Sequence, residues 1–181
     1  TFIGGVGPNH FLAIPMFIVA GELMSRGGVG IKIINFSRAI LGFMAGGLGM
    51  VVVGASMLFG GISGSAIADS AAIGSVMIRN MASKGYDKAF AAGLVAAAGT
   101  IGIIIPPSIP MLVYGFVGNV SVAELFLAGT VPGLLFGLTF MSVCYYVGKT
   151  TKCDPGGRYV SRAELWKSFR ETLPALMMPV I

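Results

Sequence analysis

The chain has 181 residues, of which 55% are hydrophobic and only 10% charged, and its mean hydropathy is +0.88. So little polar surface excludes a soluble globular domain of this length, which would need far more to cover its core. The formal charge of +5 does not describe a nucleic-acid groove, because all 12 Lys and Arg fall in three patches between apolar stretches.

In chain order, residues 1–38 read as a transmembrane helix followed by a cytoplasmic interfacial segment carrying the first patch, Arg26, Lys32 and Arg38. The second patch is Arg79, Lys84 and Lys88; the third is Lys149, Lys152, Arg158, Arg162, Lys167 and Arg170. Basic loops between apolar segments follow the positive-inside rule, so all three belong on the cytoplasmic side. The chain between them must cross the bilayer an even number of times or turn back partway. Residues 39–84 turn back: Ala39 to Ile62 is long enough to reach across. The return arm, Ser65 to Ile78, covers only about 20 Å against a hydrocarbon core of about 30 Å. The two arms, joined by Gly60-Gly61-Ile62-Ser63-Gly64-Ser65, predict a re-entrant helical hairpin with a non-helical tip at membrane depth.

Residues 85–117 predict a broken transmembrane helix. Asp87 caps its start and Gly85 closes the helix before it. Ala91, Ala92, Gly93, Ala96, Ala97, Ala98 and Gly99 offer small side chains for close packing. Pro107 and Pro110 then remove donors and clash with the preceding turn, so the helix breaks between Thr100 and Ser108. Residues 118–148 form the next transmembrane helix, opened by the capping box Ser121 and Glu124, with Gly129, Gly133 and Gly137 spaced for tight packing. Residues 149–171 are a cytoplasmic loop with an amphipathic helix opened by Ser161 and Glu164, and 172–181 start a further span. Cys144 and Cys153 indicate neither a disulfide nor a metal site. The fold class is an all-α polytopic membrane protein with a re-entrant hairpin and a discontinuous, proline-broken helix.

Both irregular regions reach similar depth, Thr100 about 18 Å and Asp69 about 15 Å from the basic face. Secondary transporters build their sites from such broken helices: freed carbonyls coordinate a cation, and half-helix N-termini favour an anion. Asp69 in an apolar hairpin marks an ion or substrate path, or else caps the return arm. Ser63 and Ser65 are ligands, or else small residues that permit a tight turn. Gly61-Ile62-Ser63-Gly64 also matches the G-x-S-G of rhomboid intramembrane serine proteases. Ser63 would need a base, and the one histidine, His10, lies far upstream. No enzyme is expected.

The run from Gly60 to Ser75 resembles the first hairpin of TRAP (tripartite ATP-independent periplasmic) transporter large membrane subunits. So do Gly85-Tyr86-Asp87-Lys88-Ala89-Phe90-Ala91-Ala92, Gly99-Thr100-Ile101-Gly102 and Pro106-Pro107-Ser108-Ile109-Pro110-Met111. Gly21-Glu22-Leu23-Met24, Leu125 to Gly129 and Pro132-Gly133 match as well, in the right order. Ile103 and Arg79 stand where the family often has Pro. The resemblance implies an elevator-type, sodium-coupled importer of organic acids such as dicarboxylates or sialic acids in the bacterial inner membrane. It implies as partners a small membrane subunit and a periplasmic binding protein. By similarity a sodium site draws on Ser63, Gly64, Ser65, Thr100, Gly102 and Pro106, mostly through backbone carbonyls, which suit a hard cation. Ser65, Asp69 and Ser108 lie near substrate. The chain, opening at Thr1 without Met and stopping in an apolar run at Ile181, is expected to be part of a longer permease. A binding-protein-independent sodium-carboxylate symporter is the alternative.

Overall fold

The computed structural model of the chain describes residues 15–16, 18–23, 27–151, 153–154, 156–157 and 162–176. Every regular element among the described residues is a helix. After a short helical stretch at 18–23 come α1 (Val29–Leu41), α2 (Gly47–Ser63), α3 (Ala66–Ser83) and α4 (Lys88–Ile101). These are followed by α5 (Ile109–Gly118), α6 (Val122–Thr151) and α7 (Arg162–Leu176). Among the described residues one helix, the 30-residue α6, is long and apolar enough to cross a membrane.

Helix α2 is the axis of the molecule. It packs on α1, α3, α4 and α6, while α3 packs on α4, α5 on α6, and α7 on α1. Val51, Val52, Val53, Ala55 and Phe59 of α2 are wholly buried, with Ile73 and Met81 of α3 and Ala98 and Ile101 of α4 around them. The turn at Gly64 sends α3 back beside α2, so the basic α3–α4 turn returns to the end where α2 begins. The C-terminal half of α6 lies at that end too, because Gly148 sits against Gly46 and Cys144 against Gly49. Arg38, Lys84, Lys88 and Lys149 therefore lie toward one end of the bundle, whereas Gly30 of α1 packs against Phe59 and Ala72, nearer the tip.

The first expected arm, Ala39 to Ile62, is two elements. Helix α1 continues to Leu41, and α2 starts only at Gly47. The cause is the turn between them, where Gly46 adopts φ 72°, a conformation that L side chains rarely take. The return arm is longer than expected. Helix α3 has 18 residues, about 27 Å at 1.5 Å per residue, and Gly85 at φ 88° ends it. Its length alone no longer separates a partway turn from a near-complete crossing. The small residues of α4 do not form one packing face. Ala91, Ala98 and Gly99 are buried with Leu94 and Val95 at helical spacing, whereas Ala92, Gly93 and Ala96 point outward. Helix α7 runs through residue 172 to Leu176, with the buried Thr172 hydroxyl donating to the Ser168 carbonyl at 2.8 Å, and residues 177–181 of the expected further span lie outside the described residues.

Several caps read from sequence are in place. The Asp87 carboxylate accepts from Ala89 N–H at 2.7 Å and Phe90 N–H at 3.1 Å. Ser121 Oγ accepts from Glu124 N–H at 3.4 Å, which leaves Glu124 a position in a cap. The glycine row of α6 packs as expected: a Cβ on Gly129 would meet Met111 and the Ile104 carbonyl, on Gly133 the Ile105 side chain, on Gly137 the Met57 sulfur. His10, Arg26, Lys152, Arg158 and Ser161 lie outside the described residues.

Candidate functional site

The tip of the α2–α3 hairpin is made by three residues. Gly64, at φ 60°, donates its N–H to the Gly60 carbonyl at 2.8 Å and so terminates α2. Ser65 then enters extended backbone and caps α3, its Oγ accepting from Ala68 N–H at 3.4 Å. Its own N–H donates to Ser63 Oγ at 3.3 Å. Both serines thus shape the turn, and neither hydroxyl is prevented by that from meeting a ligand with its remaining lone pair.

The break after α4 is a series of tight turns. Ile104 and Ile105 N–H both reach the Ile101 carbonyl at 2.9 Å, and the chain passes through Pro106 and Pro107, joined by a cis peptide bond. The Ser108 hydroxyl, fully buried, donates to the Ile103 carbonyl at 2.7 Å rather than capping α5. The first turn of α5, with Pro110 in it, therefore keeps the positive end of its dipole uncapped by that side chain.

Tip and break meet. Ile109 N–H donates to the Gly64 carbonyl at 3.4 Å. A Cβ on Gly60 would meet the Gly102 Cα, so the two backbones touch directly where neither residue has a side chain. A Cβ on Gly61 would sit 3.4 Å from the Pro106 carbonyl oxygen. The structure thus gathers Ser63, Gly64, Ser65, Gly102, Pro106 and Ser108 in one locality, with the N-termini of α3 and α5 converging on it. Thr100 is the exception. Its side chain is exposed and its hydroxyl donates back to Ala97 at 2.7 Å, which leaves only its backbone available to the site.

Asp69 lies one turn into α3 and is wholly buried. A Cβ on Gly102 would lie 3.2 Å from its Oδ2, so the carboxyl abuts the break from beneath. Neither oxygen has a hydrogen-bond partner among the described residues. An unpartnered buried carboxyl is costly, and its retention in a close-packed interface is hard to reconcile with a purely capping role. The Ser56 hydroxyl of α2, also buried and unpartnered, lies near enough to act on the carboxyl electrostatically without completing a hydrogen bond.

Sequence reasoning passed over two residues of this locality. Ser56 carried a signal, being the one hydroxyl among the apolar residues that precede the tip. Gly21 packs its backbone on the tip, where a Cβ would lie 3.1 Å from the Ser63 carbonyl oxygen. Among the described residues no group of His, Cys, Asp and Glu could hold a transition metal. The donors that do converge are carbonyls, hydroxyls and one carboxyl, a set suited to a hard cation.

The whole chain, residues 1–181, matches the family model described as the DctM component of the tripartite ATP-independent periplasmic transporter. It is 47% identical over 170 residues to the C4-dicarboxylate TRAP transporter large permease protein DctM of Pseudomonas aeruginosa, covering 94% of the chain and 40% of that relative. With the sialic acid TRAP transporter large permease protein SiaM of Vibrio cholerae it shares 40% identity over 183 residues, 99% of the chain and 42% of the relative. The 2,3-diketo-L-gulonate TRAP transporter large permease protein YiaN of Escherichia coli is 38% identical over 181 residues, 100% of the chain and 42% of the relative. The chain spans about two fifths of the length of these relatives.

Proposed function

Because the chain belongs to the DctM-component family of TRAP transporter large permeases, a family of membrane transporters and not of enzymes, we propose that it forms part of a sodium-coupled importer of organic acids. The observation that carries this reading is the meeting of the Gly64 tip with the proline break above an unpartnered buried Asp69. Substrates of the C4-dicarboxylate or sialic-acid kind fit the names of the relatives, and delivery by a periplasmic binding protein, with a small membrane subunit beside the permease, fits the family's tripartite description. The proposed location is the bacterial inner membrane.

The chemistry follows from the charges. In its ionised form Asp69 repels an organic anion. A sodium ion held by the tip and break carbonyls, with the Ser63 and Ser65 hydroxyls, would offset that charge at a depth where water screens little. The two helix N-termini at the same place then attract the substrate carboxylate. Ser63, Gly64, Ser65, Gly102 and Pro106, with the Thr100 backbone, are assigned to the cation; Ser65, Asp69 and Ser108 to the substrate side. Sodium thus binds first and the acid second, which is a physical route to coupling. The α2–α3 hairpin is read as re-entrant because Gly64 at its non-helical tip is buried against protein, with Ser65 half-buried beside it, which suits irregular backbone at membrane depth. Movement of this hairpin and the broken helix as one body is the elevator motion assigned to it.

The test is uptake of labelled organic acids into proteoliposomes holding the full-length permease and its small partner, with and without a sodium gradient and a binding protein. Uptake that needs both supports the reading; uptake that needs sodium alone assigns the protein to binding-protein-independent symporters. Ser65→Ala and Asp69→Ala are each expected to abolish coupled uptake while leaving the amount of inserted permease unchanged. Normal sodium-dependent uptake by both variants overturns the site assignment.

A further inference from the structure

Ser63 is the last residue of α2, and among the described residues no N–H or hydroxyl donates to its carbonyl. Gly64 N–H turns back to the Gly60 carbonyl instead, and Ser65 N–H goes to Ser63 Oγ. The residue is only 3% exposed, so bulk water does not serve that oxygen. The last carbonyls of a helix carry the negative end of its dipole, and an undonated one buried there favours a cation.

One wall of this carbonyl comes from outside the hairpin. Gly21, buried in the helical stretch 18–23, lies so close that a Cβ on it would sit 3.1 Å from the Ser63 oxygen and 3.5 Å from the Ser63 Cα. Both atoms are backbone, and the neighbour would have to give by a few tenths of an ångström. Neither side is free to do so. Gly60 is pressed on Gly102, and the Gly64 carbonyl is held by Ile109 N–H. Gly27 N–H closes the 18–23 stretch on the Leu23 carbonyl at 2.9 Å, and α1 then sets Gly30 against Ala72 and Phe59. Gly21 does not adopt the left-handed backbone that otherwise calls for glycine. Within a helix glycine is a poor choice, costing about 1 kcal/mol against alanine. What this position requires is the missing side chain.

We infer that Gly21 is a positioning residue for the cation: its bare backbone seats the Ser63 carbonyl where that oxygen coordinates sodium. The inference rests on the sodium reading above and adds to it a residue outside both the hairpin and the proline break. Where carbonyls replace the hydration shell of a small monovalent cation, their spacing governs both affinity and the choice between cations. A side chain at Gly21 displaces one of those oxygens and so acts on both. The substrate carboxylate meets other groups, the N-termini of α3 and α5, and its affinity at saturating sodium does not follow.

Gly21→Ala in the full-length permease tests this, in proteoliposomes with the small partner and a binding protein, from acid uptake over a range of sodium concentrations and again with lithium. Half-saturating sodium is expected to rise about fivefold or more, and the ratio of lithium-driven to sodium-driven uptake to change about threefold or more. The KM for the acid at saturating sodium is expected to stay within about twofold. Gly93→Ala, on the outward face of α4 where a Cβ meets nothing within 4 Å, is the control and moves none of these. Slower uptake by Gly21→Ala at an unchanged sodium half-saturation overturns the inference, because the residue then serves packing alone. An absence of sodium dependence in the unaltered permease overturns the transport reading as well, so the two failures are told apart. If Gly21→Ala does not insert, Leu23→Cys decides in its place, since that position is 67% exposed on the same stretch. Sodium is expected to slow its labelling by a maleimide about threefold or more against an equal concentration of choline, and equal rates in the two salts overturn the inference.

Discussion

Helices α2 and α6 are both strongly apolar, yet they are buried in opposite ways. In α2 every residue but Met57, Leu58 and Gly61 is buried. In α6 only Gly129, Gly133, Gly137, Cys144 and Gly148 are, and Leu127, Val131, Leu135 and Tyr146 lie 60% or more exposed. The first helix is enclosed by four others; the second lays one row of small residues on that enclosure and turns its large side chains outward. Apolar character in a membrane protein therefore does not locate the core, since lipid and protein interior accept the same side chains. The positions of the small residues do, because a backbone can approach closely only where there is no side chain.

That contrast can be broken or sharpened by substitution in the full-length permease. The largest effect is expected from Gly60→Val, which drives a side chain into the Gly102 backbone. We expect about 3 kcal/mol or more of destabilisation, and loss of sodium-dependent uptake with it. Leu48→Ala opens a cavity in α2 and is expected to cost about 2–3 kcal/mol, read as a lowered midpoint of unfolding in detergent. Asp154→Ala removes the acceptor that caps α2 at Leu48 N–H, 2.8 Å away. Its expected cost is about 1–2 kcal/mol, most of it recovered by Asp154→Asn, whose side-chain oxygen still accepts. Leu135→Ala, the same deletion as Leu48→Ala but on the outward face of α6, is expected to stay within about 0.5 kcal/mol. Equal losses for Leu48→Ala and Leu135→Ala would mean that the face of α6 is covered in the working protein.

How much of this was legible in the sequence depended on range. The hairpin tip and the proline break were, because Gly and Pro act on their own φ, ψ and hydrogen bonds and need no distant partner. The caps at Asp87 and Ser121 were legible for the same reason. The turn from Gly42 to Gly46 was not: its glycines look like those inside α2, and the turn is fixed from outside, by Gly46 N–H donating to the Asp154 carbonyl at 2.9 Å. Asp154 itself sat unremarked in a basic loop. Asp69 was legible as an oddity; Ser56 stood out only as the one hydroxyl in its apolar run, and nothing local tied it to Asp69, since a lone serine in an apolar helix more often bonds back to its own backbone. Thr100 does bond back in that way, which is why its hydroxyl belongs to the helix and not to the site.

The cap on α2 also sets a timetable. Leu48 N–H is satisfied by a carboxylate that lies 106 residues further along the chain. At synthesis rates of about 5–20 residues per second, the ribosome delivers Asp154 roughly 5–20 s after Leu48. During that interval the beginning of the most enclosed helix has neither its cap nor its neighbour α6, and its first N–H groups must be met by water or by lipid headgroups. The hairpin is thus expected to stay open at its basic end until the second half of this region has been made. A nascent chain arrested before residue 154 should expose Cys substitutions near Gly47 to a water-soluble maleimide, and one arrested well after it should shield them.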